Sequence, residues 1–137
     1  MLKVREPCVL YRCFYSFQGR CYIETKSLDG ETNLKQKSAK PNVLKMFPKN
    51  PKDLLKTLSS LRLFFSYEKP NPYIYSFSGK ITLLDGSQSG LNNSNFALRG
   101  CSLRNTEYMY GVVSYTGHKS KIMLNSVNSR NKQSKVE

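Results

Sequence analysis

Apolar and polar residues alternate with period two through much of this chain, and helical spacing is confined to one stretch. Residues 9–17 form an aromatic, β-favouring run closed by Gln18-Gly19-Arg20, which predicts a strand or two and a turn. Residues 21–25 predict the next strand. Tyr73, Tyr75 and Phe77, then Ile81 and Leu83, recur with period two around Gly79, and Asp85-Gly86 ends that run. Residues 87–95, rich in Gly, Ser and Asn, predict a loop. Residues 96–100, 101–104 and 108–115 predict successive strands separated by Gly or Asn turns. The helical stretch is residues 51–62: Asn50 caps it, Pro51 suits its first position, and Leu54, Leu55, Leu58 and Leu61 recur at three- and four-residue spacing. Such a helix either packs on its own sheet or serves a partner or a membrane surface. The polar residues 33–40 predict a short helical turn interrupted by Pro41, residues 41–52 a lysine-rich loop with three prolines, residues 68–72 a connector, and residues 119–124 the start of a helix. Strands that mostly neighbour strands imply a mainly β (β-rich α+β) chain with one or two short helices, a barrel or roll rather than an alternating parallel sheet.

Composition narrows this picture. A length of 137 residues with 39% hydrophobic and 12% aromatic content predicts one domain with one core. The apolar runs fall short of the roughly 18 to 20 residues that span a bilayer. Residues 1–7 lack a secretory signal pattern, so a cytosolic domain is expected. Four cysteines, Cys8, Cys13, Cys21 and Cys101, form no CxxC pair, and His118 is the one histidine. That set argues against structural zinc and for reduced packing thiols. A formal net charge of +13 calls for a polyanionic neighbour: nucleic acid, anionic lipid headgroups or an acidic partner domain.

The candidate chemistry lies where the strand of residues 21–25 gives way to Asp29-Gly30-Glu31-Thr32. Asp-Gly favours a tight turn, because Gly accepts positive φ and Asp bonds back to the local backbone. Glu31 and Thr32 are therefore placed at an exposed loop tip, where a carboxylate can reach a substrate held elsewhere. Glu24, inside the strand, reads as structural. Arg99 and Arg104 are open to a phosphate or inter-domain contact or to ordinary surface pairing, and His118 reads as a local hydrogen-bonding residue.

Three ordered blocks then carry a resemblance. Residues 19–35, with Asp29-Gly30-Glu31-Thr32-Asn33-Leu34-Lys35, resemble the actuator-domain signature of the type IV P-type ATPases, the phospholipid flippases. Glu68-Lys69-Pro70-Asn71 and Tyr75-Ser76-Phe77-Ser78-Gly79 resemble that family's next segment. Residues 95–125, with Leu98-Arg99-Gly100-Cys101, Leu103-Arg104-Asn105-Thr106, Tyr115-Thr116-Gly117-His118 and Lys121-Ile122-Met123, resemble its second block in the same order. The likeness covers residues 19–130, with 41–66 a variable insertion holding the expected helix. Residues 1–20 form a divergent strand region, where Pro7-Cys8 is followed by Val9 and the family's aspartate is missing. Residues 131–137 are a basic tail leading toward a membrane helix not contained here.

The resemblance implies a distorted jelly-roll-like actuator domain. In it Glu31 would position, and help deprotonate, the water that hydrolyses an aspartyl phosphate during ATP-driven lipid flipping. Asp29 and Gly30 would shape the loop, and Thr32 would help dock it. ATP and Mg2+ are expected of the full-length enzyme, with no cofactor or metal on this chain, which lacks the phosphorylation motif and is not expected to be active alone. The implied partners are the phosphorylation and membrane domains of the same ATPase, a phospholipid substrate, the family's accessory β-subunit and an anionic membrane surface near Arg130, Lys132 and Lys135. The implied location is a membrane, with this domain on its cytosolic side and no nucleic acid. Two other readings stand beside it: a non-catalytic regulatory or vestigial domain, and a basic nucleic-acid-binding β-barrel, suggested by Tyr11, Phe14, Tyr15 and Phe17 among Arg12 and Arg20.

Overall fold

In a computed structural model, which describes residues 2–3, 8–13, 19–46, 53, 60 and 62–126, the predicted alternation at residues 21–25 becomes a strand with two unlike faces. Cys21 and Ile23 point into the core, while Arg20 and Tyr22 are exposed. In chain order the elements are β1 (Leu2–Lys3), β2 (Cys8–Cys13), β3 (Arg20–Glu24), α1 (Lys26–Asp29), β4 (Lys35–Ser38), α2 (Pro41–Leu44), β5 (Phe64–Tyr67) and β6 (Ser78–Thr82). Next come β7 (Gln88–Asn92), a 3-10 turn (Asn93–Asn95), β8 (Phe96–Ala97), β9 (Ser102–Arg104), β10 (Met109–Val113), a 3-10 turn (Gly117–Lys119) and α3 (Lys121–Ser126). The strands form three sheets, ordered β1-β9-β3-β4, β10-β2-β8 and β5-β6-β7, and every pairing among the described residues is antiparallel. The fold is mainly β, as the pattern implies, and these sheets do not close into a barrel.

Local reading fails where the backbone ladder decides the conformation. Residues 33–40 do not form a helical turn: Lys35–Ser38 is a strand, because β3 offers it an open edge, with Ile23 opposite Lys35 and Arg20 opposite Ser38. Pro41 does not simply interrupt structure but occupies the first turn of α2. Residues 87–95 are not one loop, since Gln88–Asn92 pairs with β6 as an edge strand that needs only Leu91 buried. Conversely, Tyr73 and Tyr75 lie in no strand: the Asn71 side-chain oxygen accepts the Tyr73 N–H at 3.2 Å, and the chain turns there before β6 begins. In residues 96–100 only Phe96–Ala97 is strand. The helix expected over 51–62 lies almost wholly outside the described residues, as do the tail of residues 131–137 and the aromatic positions 14–17.

Two buried clusters hold the sheets together. One contains Val43, Phe77, Ile81, Leu83, Leu91, Phe96, Leu98 and Tyr115, with Phe77 stacked on Phe96 at a centroid distance of 4.3 Å. The other contains Cys21, Ile23, Ala97, Cys101 and Leu103, so Cys21 and Cys101 are packing thiols. Leu28 of α1 packs against both clusters. Leu28 is half-buried and so gains part of the about 1.5–3 kcal/mol that full burial of such a side chain is worth, which ties α1 to the core beyond its four residues' helical propensity.

Among the described residues, two lysines are buried within this apolar frame. Lys121 is fully buried and donates to Glu68 at 2.7 Å and to Asn71, while Tyr115 donates to the Glu68 carbonyl at 2.7 Å. Burial acts to raise the Glu68 carboxyl, but the Lys121 and Asn71 hydrogen bonds outweigh it and hold Glu68 below its ordinary value. Burial chiefly, and then the Glu68 charge, push the Tyr115 hydroxyl up to about 12. This cluster joins the connector before β6 to the start of α3. Replacing Lys121 by Met strands the Glu68 charge, and a loss of about 2 kcal/mol is expected in urea unfolding. An unchanged midpoint would contradict that role.

Lys37, 6% exposed, crosses from Cys21 in the ladder and donates to the Asn93 carbonyl at 2.6 Å. Burial lowers its ammonium to about 8 from an ordinary 10.5. The unfolded chain therefore holds a proton that the folded chain has released between those values, and stability rises with pH across that window. From pH 8 to 10.5 the wild type is expected to gain stability relative to Lys37→Met, and a pH-independent difference would exclude the effect.

Candidate functional site

β3 ends at Glu24, and the chain enters α1, a single helical turn closed by Gly30 at φ 77°. The expected tight turn is thus the left-handed end of a helical turn, a conformation that costs an L-residue roughly 1–2 kcal/mol and glycine almost nothing. Gly100, at φ 88°, supports α1 from beneath: a Cβ there would stand 3.1 Å from the Leu28 methyl. Ser27 donates to the Gly100 carbonyl at 3.0 Å, so the loop rests on the Arg99-Gly100 turn.

The Asp29 carboxylate organises the rest of the loop. It accepts a bifurcated hydrogen bond from the Thr25 hydroxyl, at 3.0 and 2.9 Å to its two oxygens, and one from the Glu31 N–H at 3.0 Å on Oδ1. On Oδ2 it accepts from Lys35 Nζ at 2.7 Å and from the Tyr75 hydroxyl at 3.1 Å. Its side chain is only 7% exposed. Burial alone would raise its pKa, yet the bonds from Lys35, the Glu31 N–H, Thr25 and Tyr75 prevail and hold it well below the usual carboxylate range.

Lys35 bridges the two acids, reaching Glu31 Oε2 at 2.9 Å as well as Asp29. Burial works against its ammonium, but the two carboxylates prevail and hold Lys35 above its ordinary value. The ammonium also lies 5.0 Å from the centroid of the Tyr75 ring. Burial and the neighbouring Asp29 charge raise the Tyr75 hydroxyl in turn. Glu31 itself is exposed at the tip with Thr32.

Of the residues singled out from sequence, Asp29, Gly30, Glu31 and Thr32 are thus gathered in one loop, with Glu31 and Thr32 outermost. Asp29 does more than shape a turn, and Thr25, Lys35 and Tyr75 are additions. The Tyr alternation near residue 75 was the available signal, but it serves Asp29 and not a sheet. Glu24 is structural, accepting from Arg104 at 2.8 Å across the β3–β9 ladder. Arg99 is half-buried beside Gly100. His118 is exposed, and its imidazole makes no hydrogen bond among the described residues. No group of three or more metal-ligating side chains occurs among the described residues. Asp29 and Glu31 already share one ammonium, a donor set that does not fit Mg2+.

The three sequence blocks meet at this loop. Ser27 and Leu28 rest on Gly100 of the last block, Tyr75 reaches Asp29 from the middle one, and Phe77 stacks on Phe96 behind them. Among the described residues no helix is long and apolar enough to cross a membrane.

No family model matches the chain, but known proteins do resemble it. The chain is 41% identical over 119 residues to phospholipid-transporting ATPase 6 of Arabidopsis thaliana, covering 87% of this chain and 9% of that protein. It is 40% identical over 119 residues to phospholipid-transporting ATPase VB of Homo sapiens, covering 87% and 8% respectively. It is 38% identical over 120 residues to phospholipid-transporting ATPase DRS2 of Saccharomyces cerevisiae, covering 88% and 8%. The chain spans less than a tenth of the length of these relatives.

Asp29 supplies a testable consequence of this geometry. Its carboxyl is depressed in the folded chain, so the stability it contributes is present above the ordinary 3.8 and is lost as pH falls below it. The stability difference between wild type and Asp29→Asn, read from urea midpoints, is expected to be largest near neutral pH and to shrink below 3.8. A difference that persists unchanged into acid would rule out the ion pair as its source.

Proposed function

We propose, for a chain that is a homologue of one segment of the phospholipid-transporting ATPases, that it is their actuator domain and that its Asp29–Thr32 loop serves hydrolysis of an aspartyl phosphate. The observation that carries this reading is the exposed Glu31 carboxylate on a loop whose base is fixed by Asp29 and supported by all three blocks of the resemblance. A carboxylate that must meet a phosphoryl group on another domain needs such a tip: rigid beneath and open above.

In the proposed reaction a water oxygen attacks the phosphorus of the acyl phosphate in line. Glu31 orients that water and accepts its proton, the bond between phosphorus and the aspartyl oxygen breaks, and the aspartate leaves as a carboxylate with inorganic phosphate released. Thr32, beside Glu31 at the tip, docks the loop by its hydroxyl or backbone. Gly30 permits the left-handed corner that turns Glu31 outward. ATP and Mg2+ are required by the full-length ATPase and are assigned to its other domains. Phospholipid as substrate, the phosphorylation and membrane domains as partners, the accessory β-subunit and a cytosolic-face location belong to the same proposal.

The test is Glu31→Gln at the matching position of a full-length relative. Positioned proton transfer contributes about 10² to 10⁴-fold, so phosphoenzyme decay is expected to slow on that scale while lipid transport stalls. Decay at the normal rate would remove Glu31 from the reaction and favour a non-catalytic domain.

A further inference from the structure

We propose that Lys35 is a positioning residue for Glu31: held by Asp29 and Tyr75, its ammonium fixes Glu31 through Oε2 and leaves Oε1 for water. This rests on the reading of Glu31 as the residue that orients the attacking water.

The geometry is a closed ring around one carboxylate. The Glu31 backbone N–H bonds Asp29 Oδ1 at 3.0 Å, and the Glu31 side chain returns to Asp29 Oδ2 through Lys35, at 2.9 and 2.7 Å. Both ends of Glu31 are thereby referred to the same anchored group. Its other oxygen, Oε1, accepts no hydrogen bond among the described residues, and the side chain is 54% exposed.

An ordinary exposed ion pair would not do this. Surface pairs are worth about 0–1 kcal/mol, because two long side chains lose freedom to form them. Lys35 has already lost that freedom: its backbone is paired with Ile23 in the ladder, its ammonium is bound to the Asp29 carboxylate, and the Tyr75 ring lies against it. Glu31 therefore meets a cation that is fixed before it arrives. Tyr75 adds the second restraint, since its hydroxyl binds the same Asp29 oxygen that Lys35 uses. A residue misplaced by about 1 Å can lower a rate by about 10²-fold, so orientation at this step is expected to be visible in kinetics.

Two measurements test it. The first is phosphoenzyme decay in a full-length phospholipid-transporting ATPase carrying, at matching positions, Lys35→Met, Lys35→Arg, Glu31→Gln and the Glu31→Gln/Lys35→Met pair. Lys35→Met is expected to slow decay about 10- to 100-fold, and Lys35→Arg to restore most of it. The pair should be no slower than Glu31→Gln alone, because the proposal routes the effect of Lys35 on phosphoenzyme decay through Glu31. Additive slowing in the pair, or normal decay in Lys35→Met, would overturn the proposal.

The second is side-chain scalar couplings of Glu31 in the whole 137-residue chain by NMR. A single Glu31 rotamer is expected in the wild type and averaging in Lys35→Met with the thermal midpoint recorded alongside; averaging already in the wild type would overturn the clamp. A fixed rotamer that Lys35→Met releases, found together with normal decay in Glu31→Gln, would uphold the clamp and overturn the reading of Glu31.

Discussion

One carboxylate, that of Asp29, ties together what the sequence keeps apart. Its two oxygens collect the Thr25 hydroxyl, the Glu31 N–H, the Lys35 ammonium and the Tyr75 hydroxyl, drawing on the end of β3, the loop itself, the first residue of β4 and the turn before β6. A buried carboxylate without partners would be unfavourable, and one so fully engaged is strongly restrained. The loop tip can therefore project Glu31 outward without becoming mobile at its root. The apolar side of the same turn, Leu28, reaches both core clusters, so polar and apolar anchoring act through adjacent residues of one four-residue turn.

Elsewhere, among the described residues, two amines are buried in unlike ways. Lys121 has a carboxylate, an amide oxygen and an aromatic face around it, and joins α3 to the residues before β6. Lys37 has oxygen atoms of Asn93 for its hydrogen bonds, and burial moves its proton equilibrium toward the neutral amine. The first arrangement specifies a contact between distant segments, since only a cation at that place satisfies Glu68 and Asn71 together. The second makes stability respond to alkaline pH. With a formal net charge of +13 on the chain, the difference between these two sites is one of partner geometry rather than of residue type.

The candidate site was legible as far as local chemistry extends. Asp-Gly followed by Glu-Thr announces a glycine-dependent corner with a carboxylate beyond it, and the structure has that corner at Gly30. Lys35 stands in the same run, but the sequence alone gives it no role, because nothing local says that β4 exists. Its strand forms from pairing with β3, and polar residues 35–38 carry little β preference of their own. Tyr75 misled for a related reason: alternation with Tyr73 and Phe77 resembles a strand, whereas the hydroxyl is spent on Asp29 and the backbone turns at Asn71. The Gln88–Asn92 strand was hidden by its composition, since an edge strand paired on one side tolerates Ser, Gly and Asn.

The sequence by itself determined the β-rich class, the strand expected over residues 21–25 and found as Arg20–Glu24, the glycine-dependent corner after Asp29 and the exposed placement of Glu31. Each depends on side-chain alternation or on backbone freedom within a few residues. Only the tertiary structure decided that Lys35 lies between two acids, that Tyr75 closes over them, and that Gly100 makes room for Leu28. Those relations join residues 29 and 75, or 28 and 100, and are set by ladder register and core packing, which no window of neighbouring residues contains.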